Sequence, residues 1–258
     1  MSLKNLQNQH HDGNVGNNVT ELKAYAAPLV HDTVFGLCQK ILSAHNKGKG
    51  LTVLVLGAGS GYFDKRLLDE GIKNIDAIEY IPEHYKVKGT RLFSYDLNNT
   101  WANKLLTQNN NRKYDLIIAI EVIEHLENSF QLLREIKSVL GYNGQIIITS
   151  PNVESLFSRI RYMLTGSLEY FGQSELNGTG HINPIFNHIL RLNLELNKIK
   201  LLHIYNNRNI WKSRTEDAKS IKKIILIIIS ILAFFISIIV SRRNIFKNKN
   251  EGDRKSVV

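Results

Sequence analysis

The chain has 258 residues, 43% of them hydrophobic and 22% charged, with one cysteine, Cys38. That composition supports a packed core and excludes wholesale disorder, and a lone cysteine excludes an internal disulfide framework or a cysteine-rich zinc module. The net charge of +10 is unevenly placed: residues 200–258 carry 13 Lys/Arg against 4 Asp/Glu, leaving 20 against 19 for residues 1–199, so nucleic acid is disfavoured as the main substrate.

Residues 1–45 read as an arm and a helix. The first twenty are rich in Asn, Gln and His and lack an apolar run, so no cleavable signal peptide is expected; His10 and His11 read as part of a solvated arm. A helical pattern over 28–44 places Leu29, Val34, Leu37, Ile41 and Leu42 near one face. Residues 46–210 read as the main domain, in which short apolar runs alternate with helical stretches. Strands are expected at 51–56, 74–79, 91–95, 114–120 and 145–149. Helices are expected at 62–70, stopped by Gly71, at 99–107, and at 126–140, closed by Gly141. A long connection over 152–183 precedes a helix at 184–196 and a sixth strand at 199–205. This alternation predicts an α/β, Rossmann-like, doubly wound and mostly parallel sheet, with ligands gathered beyond the carboxyl ends of its strands.

Gly57-Ala58-Gly59-Ser60-Gly61 follows the first strand and opens a helix. Glycine lets the backbone turn tightly and approach a ligand that a Cβ would hold away. A dinucleotide fingerprint would need glycine at position 62, where Tyr62 stands, and no Lys-Ser/Thr pair follows, so neither phosphate-binding pattern is met. A cofactor without a pyrophosphate suits such a turn. Glu79, followed by Tyr80, ends the second strand, where a carboxylate can accept hydrogen bonds from ribose hydroxyls. Asp96 ends the third strand, placed to receive an exocyclic adenine amine while Leu97 packs on the ring.

These residues, with Val53-Leu-Val-Leu-Gly-Ala-Gly-Ser-Gly61 and Tyr114-Asp-Leu-Ile-Ile-Ala-Ile-Glu-Val-Ile-Glu-His-Leu126, resemble the class I S-adenosylmethionine-dependent methyltransferases over about residues 50–155, and loosely over 156–210. The resemblance implies that the glycine turn holds the methionine part of S-adenosyl-L-methionine. Glu79 would then hold ribose, Asp96 would meet adenine, and Glu121 would face the cofactor. It implies methyl transfer by in-line displacement at sulfonium, in which the protein positions the acceptor and supplies a base where a proton must leave.

If residues 121–125 turn helical, Glu121, Glu124 and His125 share a face, and His181 in the long connection can join them. Three uses stay open: a divalent-metal site on these four residues, His125 or His181 as the base, or a structural role. The Glu-x-x-Glu-His pattern resembles metal-dependent small-RNA 2′-O-methyltransferases and quinone-biosynthesis O-methyltransferases. The stretches 149–152, 156–166 and 180–184 resemble methyltransferases of bacterial surface-polysaccharide and glycan gene clusters. Arg159, Arg161, Tyr162, Tyr170 and Phe171 fall in the connection best placed to form an acceptor lid.

Residues 211–258 form a basic, hydrophobic tail. In its segment 221–241, residues 224–240 are apolar except for Ser230 and Ser237, flanked by Lys222, Lys223, Arg242 and Arg243. Seventeen residues give roughly 25 Å of helix against a hydrocarbon core of ~30 Å, so membrane attachment is expected, spanning or re-entrant. The fold usually closes with a seventh, antiparallel strand, and residues after Tyr205 offer no clear candidate. The expectation is a methyltransferase O-methylating a sugar, glycan precursor or lipid-linked small molecule at the membrane surface, its catalytic domain cytoplasmic. The alternatives are a quinone-type O-methyltransferase and a tethered cofactor-binding protein without turnover.

Overall fold

The computed structural model describes residues 22–26 and 29–206. Five strands form one parallel sheet in the order β3-β2-β1-β4-β5. They are β1 (Thr52–Leu56), β2 (Asn74–Glu79), β3 (Arg91–Ser94), β4 (Tyr114–Ala119) and β5 (Leu140–Ile148). The alternation of strand side chains splits the core into two layers. Leu54 and Leu56 of β1 and Ile117 and Ala119 of β4 point to one face, Val53, Val55, Leu116 and Ile118 to the other.

Helices α1 (Val30–Ala44) and α2 (Tyr62–Asp69) cover the second face. On α1 the buried residues Val30, Val34, Cys38 and Leu42 recur every four positions, the stripe a core-facing helix needs. The first face is covered by α3 (Ala102–Gln108), α4 (Ser129–Val139) and α7 (Asn187–Leu196), through Leu105, Leu132, Leu133, Ile136, Val139 and Leu194. Covering both faces is what makes β1 and β4 near-continuous apolar runs.

Several expectations are corrected. The helix expected over 126–140 starts later, because Asn128 caps it by accepting a hydrogen bond from Gln131 N at 3.0 Å. Gly141 does not close it: Leu140 already belongs to β5, and a Cβ on Gly141 would lie 2.9 Å from the Tyr114 carbonyl oxygen, so the glycine permits close strand approach. The connection 152–183 holds two helices, α5 (Leu156–Thr165), capped by Ser155, and α6 (Gln173–Gly178). The sixth strand expected at 199–205 is not among the described strands. Ile199 and Leu201 pack on the core while Leu202, Ile204 and Tyr205 are exposed, and the segment has no ladder partner among the described residues. No helix among the described residues is long and apolar enough to cross a membrane, and the segment 221–241 lies outside them.

From β1 the chain winds to β2 and β3 on one side, then crosses back to β4 and β5 on the other. The switch point is therefore the crevice between the carboxyl ends of β1 and β4, where ligands collect in such sheets.

Candidate functional site

The glycine turn leaves β1 at this crevice. Gly57, Gly59 and Gly61 have φ of +60°, +56° and +85°, conformations that side chains rarely adopt. At Gly57 space adds a second constraint: a Cβ would sit 2.7 Å from Val122 Cγ2, so the loops after β1 and β4 touch there. Ala58 N donates to the Ile78 carbonyl at 3.1 Å, tying the turn to β2.

Glu79 is not a solvated strand end. It is 6% exposed; Oε2 accepts from Gly59 N at 2.7 Å and Oε1 from Ile81 N at 3.1 Å. The carboxylate thus holds the turn in shape and keeps lone pairs for a further donor. Tyr80 beside it is 41% exposed. Asp96 Oδ1 accepts from Asn98 N at 2.9 Å and Oδ2 from Asn99 Nδ2 at 3.0 Å, a local turn that aims the carboxylate, and Leu97 is buried next to it. Ser60, expected among the cofactor contacts, gives its hydroxyl to the chain instead: Oγ accepts from Lys23 N and donates to Lys23 O, both at 2.9 Å. Tyr25 of the same segment lies over Gly59, 3.2 Å from where a Cβ would be. Nothing in the local sequence marks this clasp, since its partners are 37 residues apart.

The acids after β4 converge differently from the helical expectation. Only Ile123–His125 forms a short 3-10 turn; Glu121 lies outside it at φ +52°. Glu121 is pinned to β5's exit instead, its amide donating to Thr149 Oγ1 at 2.9 Å and Oε1 accepting from that hydroxyl at 2.8 Å. Glu124, His125 and His181 do come together, with one ligand atom of each within 4.8 Å of the others. The segment bearing His181 is strapped on by Ile182 N and Asn183 N, which both donate to Glu124 O at 3.0 Å, and by Asn183 Nδ2, which donates to Leu126 O at 3.0 Å.

The two imidazoles meet edge to face, centroids 4.8 Å apart. His181 Nδ1 lies 2.9 Å from Tyr170 O, and His125 Nδ1 lies 3.2 Å from Gly180 O. A carbonyl can only accept, so in each ring it is Nδ1 that donates to it. Burial pushes the His181 imidazole below its ordinary value, against the Tyr170 carbonyl and Glu175, which favour the charged form. Glu124 has no exposed surface, and neither of its carboxylate oxygens has a hydrogen-bond partner. Burial first, then the Glu121 charge, raises its carboxyl well above the usual carboxylate range, despite its own amide and Ser150.

A second buried acid, Asp64, sits in the first turn of α2 beneath the glycine turn, with both oxygens unpartnered. Its position three residues before Leu67 puts it on the apolar face of the helix, a signal legible in the sequence.

A methyltransferase-domain family matches residues 31–195, a stretch holding every element from α1 to α7. The chain belongs to this family. It is similar to a ubiquinone biosynthesis O-methyltransferase of Rickettsia typhi, at 25% identity over 188 residues, 70% of this chain and 75% of that protein. A ubiquinone biosynthesis O-methyltransferase of Rickettsia felis is 26% identical over 117 residues, 45% of this chain, and the match spans about half of that protein, 48%. Among solved structures it is similar to an S-adenosylmethionine-dependent methyltransferase from Archaeoglobus fulgidus, with a TM-score of 0.46 at 22% identity, covering 65% of this chain and 68% of that one. The glycine turn, the strand-end acids and the histidine pair of this methyltransferase-family chain lie at one edge of its parallel sheet.

Proposed function

We propose that this methyltransferase binds S-adenosyl-L-methionine at the carboxyl edge of its sheet and O-methylates a sugar, glycan precursor or lipid-linked small molecule at the membrane surface. The observation that carries the reading is Glu79, which is buried, hydrogen-bonded to the glycine turn, and left with lone pairs for ribose hydroxyls. Asp96 and Leu97 would take the adenine, the turn from Gly57 to Gly61 the methionine part, and Glu121 the side facing the sulfonium.

When bound, the cofactor supplies an electrophilic methyl on sulfur, and its carbon–sulfur bond breaks as the carbon–oxygen bond forms. The chain must hold the acceptor oxygen in line and take its proton. His125 and His181 suit that task as imidazoles beside the acceptor position, and burial favours the neutral, proton-accepting form of His181. Buried walls around Glu124 keep water from competing.

A second reading is favoured by the unpartnered Glu124 oxygens: a divalent cation held by Glu124, His125 and His181 would neutralise the buried carboxylate and orient an acceptor hydroxyl. Glu121, expected as a fourth ligand, lies outside this group. The apolar, basic-flanked segment 221–241 supports attachment of the chain to a membrane, with the catalytic domain on the cytosolic side where the cofactor is made.

The test is calorimetric titration of the full chain in detergent with S-adenosylmethionine and, separately, NAD, followed by S-adenosylhomocysteine release on adding membrane extract, with and without a chelator. Micromolar binding of the first alone and extract-dependent release are expected. A folded protein that binds neither compound would overturn the reading, and binding without release would mark a tethered cofactor-binding protein. Chelator-sensitive release would favour the metal over the simple base.

A further inference from the structure

A cleft of about 500 Å³ opens between α5 and α7, lined in part by Asn152, Arg159, Asn187, His188 and Arg191. The Arg159 and Arg191 side chains make no ion pair or hydrogen bond among the described residues. The one acid on its wall, Glu154, is engaged at the start of α7, where Oε2 accepts from Asn187 N at 3.1 Å. Two guanidiniums thus face one space against a single committed carboxylate. The amino end of α7 lies at the same place, its first amide already taken by Glu154. The asparagine amides and the His188 imidazole add uncharged donors.

We propose that this cleft binds a phosphate or diphosphate group carried by the acceptor, clamped by Arg159 and Arg191. Planar guanidiniums match phosphate oxygens two at a time, which a sugar hydroxyl does not exploit. The inference rests on the methyltransferase reading, and the fold joins the two sites. Asn152 stands two residues after Ser150 beside Glu124, within about 7 Å along the chain, and Asn187 four residues after the Asn183 strap, within about 14 Å. An acceptor whose anionic group sits in the cleft would therefore need to extend along this short stretch of chain to bring a hydroxyl to His125 and His181.

The surroundings favour a lipid phosphate over a soluble one. Leu156 and Met163 lie three residues before and four after Arg159, on its face of α5, and are 68% and 72% exposed. Ile204, also exposed, lines the cleft. Apolar surface bordering an anion site suits acyl or prenyl carbons next to the charged group.

The test titrates the full chain in detergent with S-adenosylmethionine, inorganic diphosphate, and a short-chain phosphatidic acid, with the matching phosphatidylcholine as control. Wild type should bind diphosphate and phosphatidic acid. The R159Q/R191Q double variant should lose about a hundredfold in affinity for both while binding S-adenosylmethionine as before, since each lost charge-assisted contact is worth about tenfold. Tighter binding of phosphatidic acid than of diphosphate supports the lipid source; equal binding supports the phosphate clamp with a soluble source. Unchanged affinities in the double variant, or no binding of either anion by a chain that binds S-adenosylmethionine, would overturn the proposal. A folded chain that also fails to bind S-adenosylmethionine would overturn the methyltransferase reading on which it rests.

Discussion

Replacing Asp64 by Asn should stabilise the protein, and by more at higher pH. Asp64 has no exposed surface and no hydrogen bond of ordinary geometry, and its carboxyl is pushed up to about 7 by burial, with the Glu79 charge adding to it and the nearby Asp64 amide and Tyr85 hydroxyl opposing. From an unfolded value of 3.8, that rise corresponds to roughly 4 kcal/mol at about 1.4 kcal/mol per unit, an upper figure. The sign follows from proton counting. Below about pH 4 the group is protonated whether folded or unfolded and contributes nothing. Between about pH 4 and 7 the unfolded chain gives up the proton while the folded chain keeps it, so stability falls as pH rises, then levels off. Asparagine removes this loss, so the variant's advantage should grow by up to roughly 4 kcal/mol from pH 4 to pH 8. Urea unfolding followed by fluorescence of the buried Trp101 at several pH values measures it. A difference between variant and wild type that does not change with pH would refute the argument.

The two glycines Gly57 and Gly166 share a left-handed backbone but not the space around it. Gly166→Ala should cost only the backbone strain, roughly 1 kcal/mol, whereas Gly57→Ala adds the Val122 contact and should cost clearly more and abolish cofactor binding; equal unfolding midpoints would argue against this. Glu79→Gln offers one oxygen where two backbone amides need acceptors, so S-adenosylmethionine affinity should drop tenfold or more by calorimetry, and an unchanged affinity would remove Glu79 from the cofactor site. Asp76, buried and accepting from Arg91, Arg112 and Tyr114, should cost about 3 kcal/mol of stability as Asp76→Asn, with cofactor affinity unchanged in the folded protein; a loss confined to binding would be the contrary result.

The parallel sheet was legible because strands buried on both faces read as apolar runs, and β1, β2 and β4 fall within a residue or two of expectation. The glycine turn and Glu79 were legible because glycine spacing and strand ends are local properties. What depended on distant partners was not. The helical pattern of 121–125 predicted a shared face, but Thr149, 28 residues away, holds Glu121 apart and leaves Glu124 and His125 to meet His181. The apolar run at 199–205 suggested a sixth strand but carried nothing about whether a neighbouring strand exists to pair with it. The Lys23–Ser60 clasp and the pairing of Arg159 with Arg191 across one cleft exist only once the chain has folded.

Four of the buried acids differ in how their burial is compensated. Toward the amino end of the sheet, burial would raise both Asp76 and Asp115, but Arg91, Tyr114 and Arg112 around the first, and Lys47 and Thr52 around the second, outweigh it and hold both carboxyls below the usual range. At its carboxyl edge, Asp64 and Glu124 are equally hidden but have no hydrogen-bond partner, and both carboxyls are raised. Folding alone favours the first arrangement, because an acid that is buried should be paired. At the carboxyl edge Glu79 and Glu121 are paired while Asp64 and Glu124 lack a hydrogen bond of ordinary geometry, which leaves a local demand for positive charge or protons beside the glycine turn and the histidine pair. A sulfonium cofactor, a divalent cation or a proton leaving an acceptor hydroxyl would each find a counterpart there, in keeping with the proposed function.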